Sequence, residues 1–363
     1  MSLEITLKMT TPSVPINESL LNVSTTNNTT LIPKTNGLGM SLFTMLFGAV
    51  SNLTALGILA RSRSRFRRQS KKSFLLLTVA LLVADLLGHV ILGAFALHVH
   101  LNPGVLQPGE TFCDVFGASM VFFGLCSLFF GFAMAVERCM AITQPFFHVS
   151  MVTTAHAKSV VLFLSTIALL LALSPFFSEG SYFLQFPKTW CFFPIHGKGS
   201  GDDTTLVLVF SSLGLFALFF SLFCNIVSGL ALLHARIKSR KGNTTPSGSS
   251  GRRASTASSA SLFCTLDVEM MVQLAAVTVV SCVCWGPFLI HIFIKQFKMY
   301  TEPDKLVLIG LRMAAWNQIL DPWVYILLRR KMLMRLCCGR YYQGIPTSSN
   351  SLSESRRNTI NLQ

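Results

Sequence analysis

The residues best equipped for chemistry lie where an apolar environment makes them costly. Arg312, Asn317, Gln318, Asp321 and Pro322 interrupt the stretch 304–328, which is otherwise apolar enough to need a bilayer. A charged side chain at mid-bilayer costs about 3 kcal/mol even on lenient insertion scales, so such residues face protein or water and are usually functional. Arg312 and Asp321 are nine positions apart, roughly 13 Å along a helix and on opposite sides of it, so they cannot neutralise each other. Each therefore needs its own partner, on two faces and at two depths. Arg312 either snorkels to a headgroup or forms a cationic site for an anion. A second carboxylate, Asp85, sits within another apolar block, and its nearest polar candidates are Asn52, Ser127, Asn317 and Asp321. Two carboxylates in one dry place require a proton on one of them or a cation between them, and sodium and simple protonation remain open. Covalent chemistry is not indicated. The eight histidines are scattered, there is no His-Glu-x-x-His, and no nucleophile stands beside a base.

The elements that must position these residues are membrane helices. The chain has 363 residues, of which only 12% are charged, about half the share of an ordinary soluble domain. Seven apolar blocks run roughly over 38–60, 73–99, 112–143, 157–178, 204–235, 268–297 and 304–328. The predicted fold class is an all-α membrane protein, a bundle of seven transmembrane helices over 38–329. The net charge of +15 is concentrated in three places. The connection 61–72 carries seven cations, and the fifth-to-sixth connection and the tail after Arg329 are also basic. All three lie on one side if every block spans, which sets the N-terminus outside and the C-terminus inside. A transporter would show repeat symmetry and paired interrupted helices, and neither is visible.

The flanking segments agree with that orientation. Residues 1–37 lack an apolar signal region and carry glycosylation sequons at Asn17, Asn22, Asn27 and Asn28. Of ten cysteines only Cys113 and Cys191 fall on the outer side, so the oxidising compartment offers one pairing. The loop 179–203 is rich in aromatics and either folds as a hairpin over the bundle mouth or lies in the interface. The cytoplasmic segment 236–266 reads as disordered. Ser255 and Thr359 stand in basophilic kinase patterns there and in the tail 341–363. Residues 330–340 predict a short amphipathic helix after the seventh span, with Cys337 and Cys338 available for palmitoylation at the membrane surface. His89, one turn from Asp85, is either an interior histidine or a ligand contact. Glu137-Arg138 closes the third block, and Cys284-Trp285-Gly286-Pro287 predicts a kink in the sixth.

Together these residues resemble the rhodopsin-like family of G-protein-coupled receptors over about 38–340. The carriers are Asn52, Leu81-Leu-Val-Ala-Asp85, Cys113 with Cys191, Glu137-Arg138-Cys139, Cys284-Trp285-Gly286-Pro287 and Asp321-Pro322-Trp-Val-Tyr325. Pro187-Lys-Thr189-Trp190-Cys191-Phe192 and the run Arg312 to Arg329 are similar to the prostanoid branch. Within that branch, Gly48-Ala-Val-Ser-Asn52, Gly88-His89-Val-Ile, Met134 to Cys139 and Asp267-Val-Glu-Met270 most resemble the calcium-mobilising prostaglandin E2 receptors. The prostaglandin F receptors come next.

The resemblance implies a plasma-membrane receptor for a lipid carboxylate such as prostaglandin E2. It also implies coupling to a Gq-class G-protein, phospholipase C and calcium, with arrestin and kinases as further partners. Arg312, Thr189, Trp190 and Gln318 are the implied ligand contacts, with Met120 and Trp285 along the hydrocarbon chains. Glu137, Arg138 and Tyr325 are the implied coupling residues, and Asp85, Ser127, Asn317 and Asp321 an allosteric Na+ site. His100 stands where the branch usually offers Tyr to the carboxylate. If it lies beside Arg312, its protonation below about pH 6.5 should strengthen anion binding.

Overall fold

The computed structural model describes residues 35–61, 69–102, 111–178, 180–195, 201–242, 254–297 and 305–343. The chain divides into the units Met1–Thr35 and Asn36–Gln363, and the second contains the bundle. Its helices are α1 (Thr35–Arg61), α2 (Gln69–Leu101), α3 (Thr111–Thr143), α4 (Pro145–Met151), α5 (Thr154–Leu173), α6 (Gly201–Gly242), α7 (Ala254–Phe297) and α8 (Lys305–Gln343). A two-stranded antiparallel hairpin, β1 (Phe183–Gln185) and β2 (Trp190–Phe192), lies between α5 and α6.

Six of these helices, α1, α2, α3, α5, α6 and α7, are long and apolar enough to cross a membrane. The seventh span is α8, whose interior polar residues lower its hydropathy. The seven-residue α4 is too short to span a membrane. A backbone with no water to bond must satisfy itself internally, which is why the spans are helices throughout. Large apolar side chains such as Leu162, Phe163, Phe219 and Phe223 point outward, a surface that lipid rather than water would cover.

α3 is the axis of the bundle. It packs against α2, α4, α5, α6, α7 and both strands, and 67% of its most apolar window is buried, against 17% for α5. Its inward residues Phe116, Val121, Leu125, Phe129 and Met134 join side chains of α2, α6, α7 and the hairpin in one core. A smaller cluster of Ala55, Leu59, Leu82, Val277 and Tyr325 ties α1 and α2 to α7 and α8. Local signals set the helix starts: Thr153 caps α5 by accepting from the His156 N–H, and Pro145 opens α4, where its missing N–H costs nothing.

Two sequence expectations differ from the structure. The helix expected at 330–340 is continuous with the seventh span, because α8 runs unbroken to Gln343. Arg329-Arg-Lys-Met-Leu-Met-Arg-Leu are strong helix formers, and Gly339 alone does not stop them. The segment 236–266, expected to be disordered, is helical to Gly242 and again from Ala254. Its breakers, Pro246, Gly248 and Gly251, cluster between those points, outside the described residues. The sequons Asn17, Asn22, Asn27 and Asn28, and Thr359, also lie outside them. Ser255, Cys337 and Cys338 fall on helical backbone whose side chains are not described.

Candidate functional site

The polar residues are held at three levels of the bundle. At one end the hairpin is pinned by the Cys113–Cys191 disulfide, with Cα atoms 5.4 Å apart, which ties β2 to the start of α3. Register pairs Phe183 with Phe192, Leu184 with Cys191 and Gln185 with Trp190. The buried Gln185 amide donates to the Phe193 carbonyl at 3.1 Å. The Trp190 indole donates to the Phe186 carbonyl at 3.0 Å. The Tyr182 hydroxyl donates to the Ala172 carbonyl at 2.7 Å, and its ring stacks on Phe193 at 5.1 Å. Burial, with Asp114 adding a like charge, pushes the Tyr182 phenol far above the ordinary tyrosine range, so it stays a neutral donor. Trp190 is buried and Thr189 half-buried.

Aromatic contacts lead inward from the hairpin. Phe192 meets Phe288 of α7 at 5.9 Å between centroids, and Phe288 meets Trp285 at 6.2 Å. The Trp285 ring rests against Gly124 of α3, where a Cβ would come within 2.8 Å of the indole. Both aromatic residues flank Pro287, which lies inside α7 and cannot donate to the preceding turn. Gly310 brings α8 against the backbone of Phe288, so α3, α7, α8 and the hairpin share one packing unit around that proline.

Arg312 is seven residues beyond the start of α8, about two turns in. It is exposed and has no hydrogen-bond or ion-pair partner among the described residues. It is thus not enclosed on its own face as its cost in a bilayer implied, because it lies toward the helix end rather than at mid-span. His100, in the last turn of α2, is half-buried, with Nδ1 2.7 Å from the Ala96 carbonyl. In a neutral ring Nδ1 then carries the hydrogen, leaving Nε2 as an acceptor. Met120 is half-buried against the core. Gln318 is buried, with its amide against Gly88 of α2, which Phe123 of α3 also approaches.

The middle level is a cluster of oxygen atoms. Asp85, Asn52, Ser127, Asn317 and Asp321 are all buried, and Asp85 is 0% exposed. Asn317 donates to Asp321 at 3.0 Å and to the Ser127 hydroxyl at 3.4 Å. Asn52 donates to the Gln318 carbonyl at 3.1 Å, joining α1 to α8. Asp85, close enough to Asp321 to repel it, has Ser127 nearby but bonds neither oxygen in good geometry. Both Asp85 oxygens and the Oδ1 atoms of Asn52, Asn317 and Asp321 are buried without a donor. Five orphan acceptors in this cluster fit a hard cation or added protons, since a buried unmatched acceptor is costly.

At the far end of α3, Arg138 donates to both oxygens of its neighbour Glu137, from Nε at 2.5 Å and Nη2 at 2.6 Å. The guanidinium lies over the Phe74 ring at 4.9 Å. Tyr325 is buried and its hydroxyl points to the Met134 sulfur at 3.6 Å. Sequence reasoning missed one member of this level. His148 of α4 places Nε2 3.0 Å from Glu137 Oε1. The available signal was a proline opening a short run whose other ring-bearing residues, Phe146 and Phe147, are both apolar.

Comparison with known proteins follows the same lines. Residues 51–325 match the family described as 7 transmembrane receptor (rhodopsin family). The chain is 40% identical to the prostaglandin E2 receptor EP1 subtype of Rattus norvegicus, covering 88% of this chain and 89% of that protein. It is also 40% identical to the prostaglandin F2-alpha receptor of the same species, over 82% and 80%. The human EP1 subtype is 39% identical, over 90% of each. The crystal structure of squid rhodopsin superposes with a TM-score of 0.67 at 16% identity, covering 85% of this chain and 88% of that one, a likeness of fold.

Proposed function

The chain belongs to the rhodopsin family of seven-transmembrane receptors, in its prostanoid branch, and from that premise we propose that it is a receptor for prostaglandin E2. It is a receptor rather than an enzyme, and ligand binding shifts a conformational equilibrium. The observation that carries the reading is Arg312, a fixed cation without a partner among the described residues. Arg312 sits about two turns into α8. A guanidinium stays charged and grips a carboxylate through two parallel hydrogen bonds. Thr189, at the hairpin turn, supplies a hydroxyl donor. Trp190, His100, Met120, Gln318 and Trp285 provide the remaining walls, with the apolar ones along the lipid chains.

The transduction route runs from the hairpin through Phe192 and Phe288 to Trp285. There, pressure beside Pro287 shifts α7 and opens the face around Arg138, with Glu137 and Tyr325, to a Gq-class G-protein. Phospholipase C and cytosolic calcium follow, with arrestin and kinases acting on the same face. In this orientation the hairpin end is extracellular, the C-terminus is cytoplasmic and the membrane is the plasma membrane. Asn17, Asn22, Asn27 and Asn28 are then glycosylation sites, Ser255 and Thr359 phosphorylation sites, and Cys337 and Cys338 lipidation sites. Sodium, held by Asp85, Ser127, Asn317 and Asp321, would neutralise the orphan oxygens and favour the resting state.

Prostaglandin F2α is the second reading, because the relatives named for it are equally identical. A calcium assay with a panel of prostanoids on cells expressing the chain decides between them. A response to prostaglandin E2 at the lowest concentration supports the first reading. Preference for prostaglandin F2α replaces it with the second, and silence to all prostanoids at confirmed surface expression removes both.

A further inference from the structure

α3 and α6 pack along a common seam, and three contacts fix its register. A Cβ on Gly214 of α6 would come 3.3 Å from Leu128 Cδ1 of α3. Phe132 of α3 meets Phe216 of α6 at 6.0 Å between centroids. Further along, the side chains of Cys139 and Cys224 are hydrogen-bonding neighbours. The residue numbers rise together, so the two helices run in parallel. From the first contact to the last is eleven residues on α3 and ten on α6, about 15–17 Å on either helix. The two sulfurs therefore arrive at the same depth.

The seam is also narrow enough for a covalent link. Gly214, Ala217, Ser221, Cys224 and Ser228 recur every three or four residues and all are buried, which puts them on one face of α6. Small residues on such a face let helix backbones approach closely, and a disulfide needs Cα atoms about 4.4–6.8 Å apart. Both cysteines are free thiols. Cys139 is half-buried, five residues from the end of α3 at Thr143, whereas Cys224 is 8% exposed within the core. A reachable thiol backed by a second one is the arrangement in which an oxidised sulfur is resolved as a disulfide.

We propose that Cys139 and Cys224 form a modification site, a dithiol that hydrogen peroxide closes into a reversible disulfide between α3 and α6. The Cys139 sulfur attacks one peroxide oxygen and the O–O bond breaks. The departing hydroxide leaves as water with the thiol's proton, and Cys139 becomes a sulfenic acid. The Cys224 sulfur then attacks the Cys139 sulfur. The S–O bond breaks, and its hydroxide leaves as a second water with the Cys224 proton. Two thiols have lost two electrons and two protons, and one peroxide has become two waters. A small thiol such as glutathione reverses the step by exchange. In the proposed orientation this end of α3 is cytoplasmic, where disulfides are transient rather than structural. The site needs no assignment of the receptor's ligand.

The test is made on purified full-length receptor in lipid nanodiscs. Dilute peroxide is applied and removed with catalase. The protein is then unfolded, alkylated and digested without reduction for mass spectrometry. A linked peptide pair carrying Cys139 and Cys224 should appear beside the one carrying Cys113 and Cys191, with the loss of two alkylatable thiols. Cys126, free and buried, should stay alkylatable. Glutathione added before unfolding should restore both thiols and leave the Cys113–Cys191 pair closed. In Cys224→Ala the new link should be absent, and Cys139 should be captured by dimedone as its sulfenic acid. Unfolding the receptor before peroxide should cut the yield of the link about tenfold, because the sulfurs lose their effective concentration. Full alkylation of Cys139 and Cys224 after peroxide overturns the proposal. So does oxidation of Cys139 to its sulfinic acid without the link, or a link formed equally well in unfolded protein.

Discussion

At the scale of single residues, the chain contrasts an unpaired cation with surplus acceptors. Arg312 lacks a partner among the described residues, so a bound carboxylate would supply what its own fold does not. Deleting one member of a buried charged pair costs about 2–5 kcal/mol, or about 30-fold to several-thousand-fold in affinity. The exposure of Arg312 places it near the lower figure. Arg312→Ala should weaken prostaglandin E2 binding about 30-fold with surface expression intact, and it should also erase discrimination between acid and methyl ester. Competition binding with both ligands checks this, and equal acid affinity in native and mutant proteins removes the clamp. The orphan oxygens of Asp85, Asn317 and Asp321 allow a separate trial. If sodium fills them, raising it at constant ionic strength lowers agonist affinity in the native receptor and leaves Asp85→Asn unmoved. Insensitivity of the native receptor assigns the cluster to protons instead.

At the scale of elements, the seat of Trp285 is the sharpest dependence. A Cβ on Gly124 would intrude on the indole at 2.8 Å, and overpacking of this kind costs about 1–3 kcal/mol. Gly124→Val should force Trp285 out of its resting place. Basal calcium signalling should change in either direction while thermal stability falls, and a variant matching the native receptor in both would show that the seat is slack. The spans and the polar motif of α8 were legible because a bilayer imposes a minimum apolar length, and a charged residue inside one has few bland explanations. The cysteine pairing was legible because only Cys113 and Cys191 fell on one side. α4 was not legible, since Pro-Phe-Phe-His-Val-Ser-Met has no helical periodicity at seven residues. His148 acquires meaning only when α4 folds back on α3. The extension of α6 and α7 into 236–266 was missed because composition was averaged over a segment whose breakers sit in its middle.

At the scale of the whole molecule, the three polar levels lie along α3, which touches most of the bundle. On the proposed reading, signalling would move α7 against this axis rather than deform the axis. This separates two properties that share α3. Arg138→Ala removes the guanidinium held by Glu137 but leaves the hairpin end intact. It should cut agonist-evoked calcium release several-fold at matched expression while ligand affinity changes little. Radioligand binding beside a calcium assay measures both, and unaltered calcium release would deny Arg138 its place in coupling.

The bond between Cys113 and Cys191 spans 78 residues of sequence, and this gives the receptor a vulnerable interval during its manufacture. A ribosome adding about 5–20 residues per second takes about 4–16 s to cover that distance. Throughout it Cys113 waits as a thiol while α5 is still being threaded into the membrane. The buried faces of Trp190 and Phe192 have nowhere to go until the sulfurs meet. A brief pulse of membrane-permeant reductant should therefore strand nascent chains in the secretory pathway. The same pulse given minutes later should spare receptors whose Cys191, 0% exposed, is already sealed beneath its hairpin.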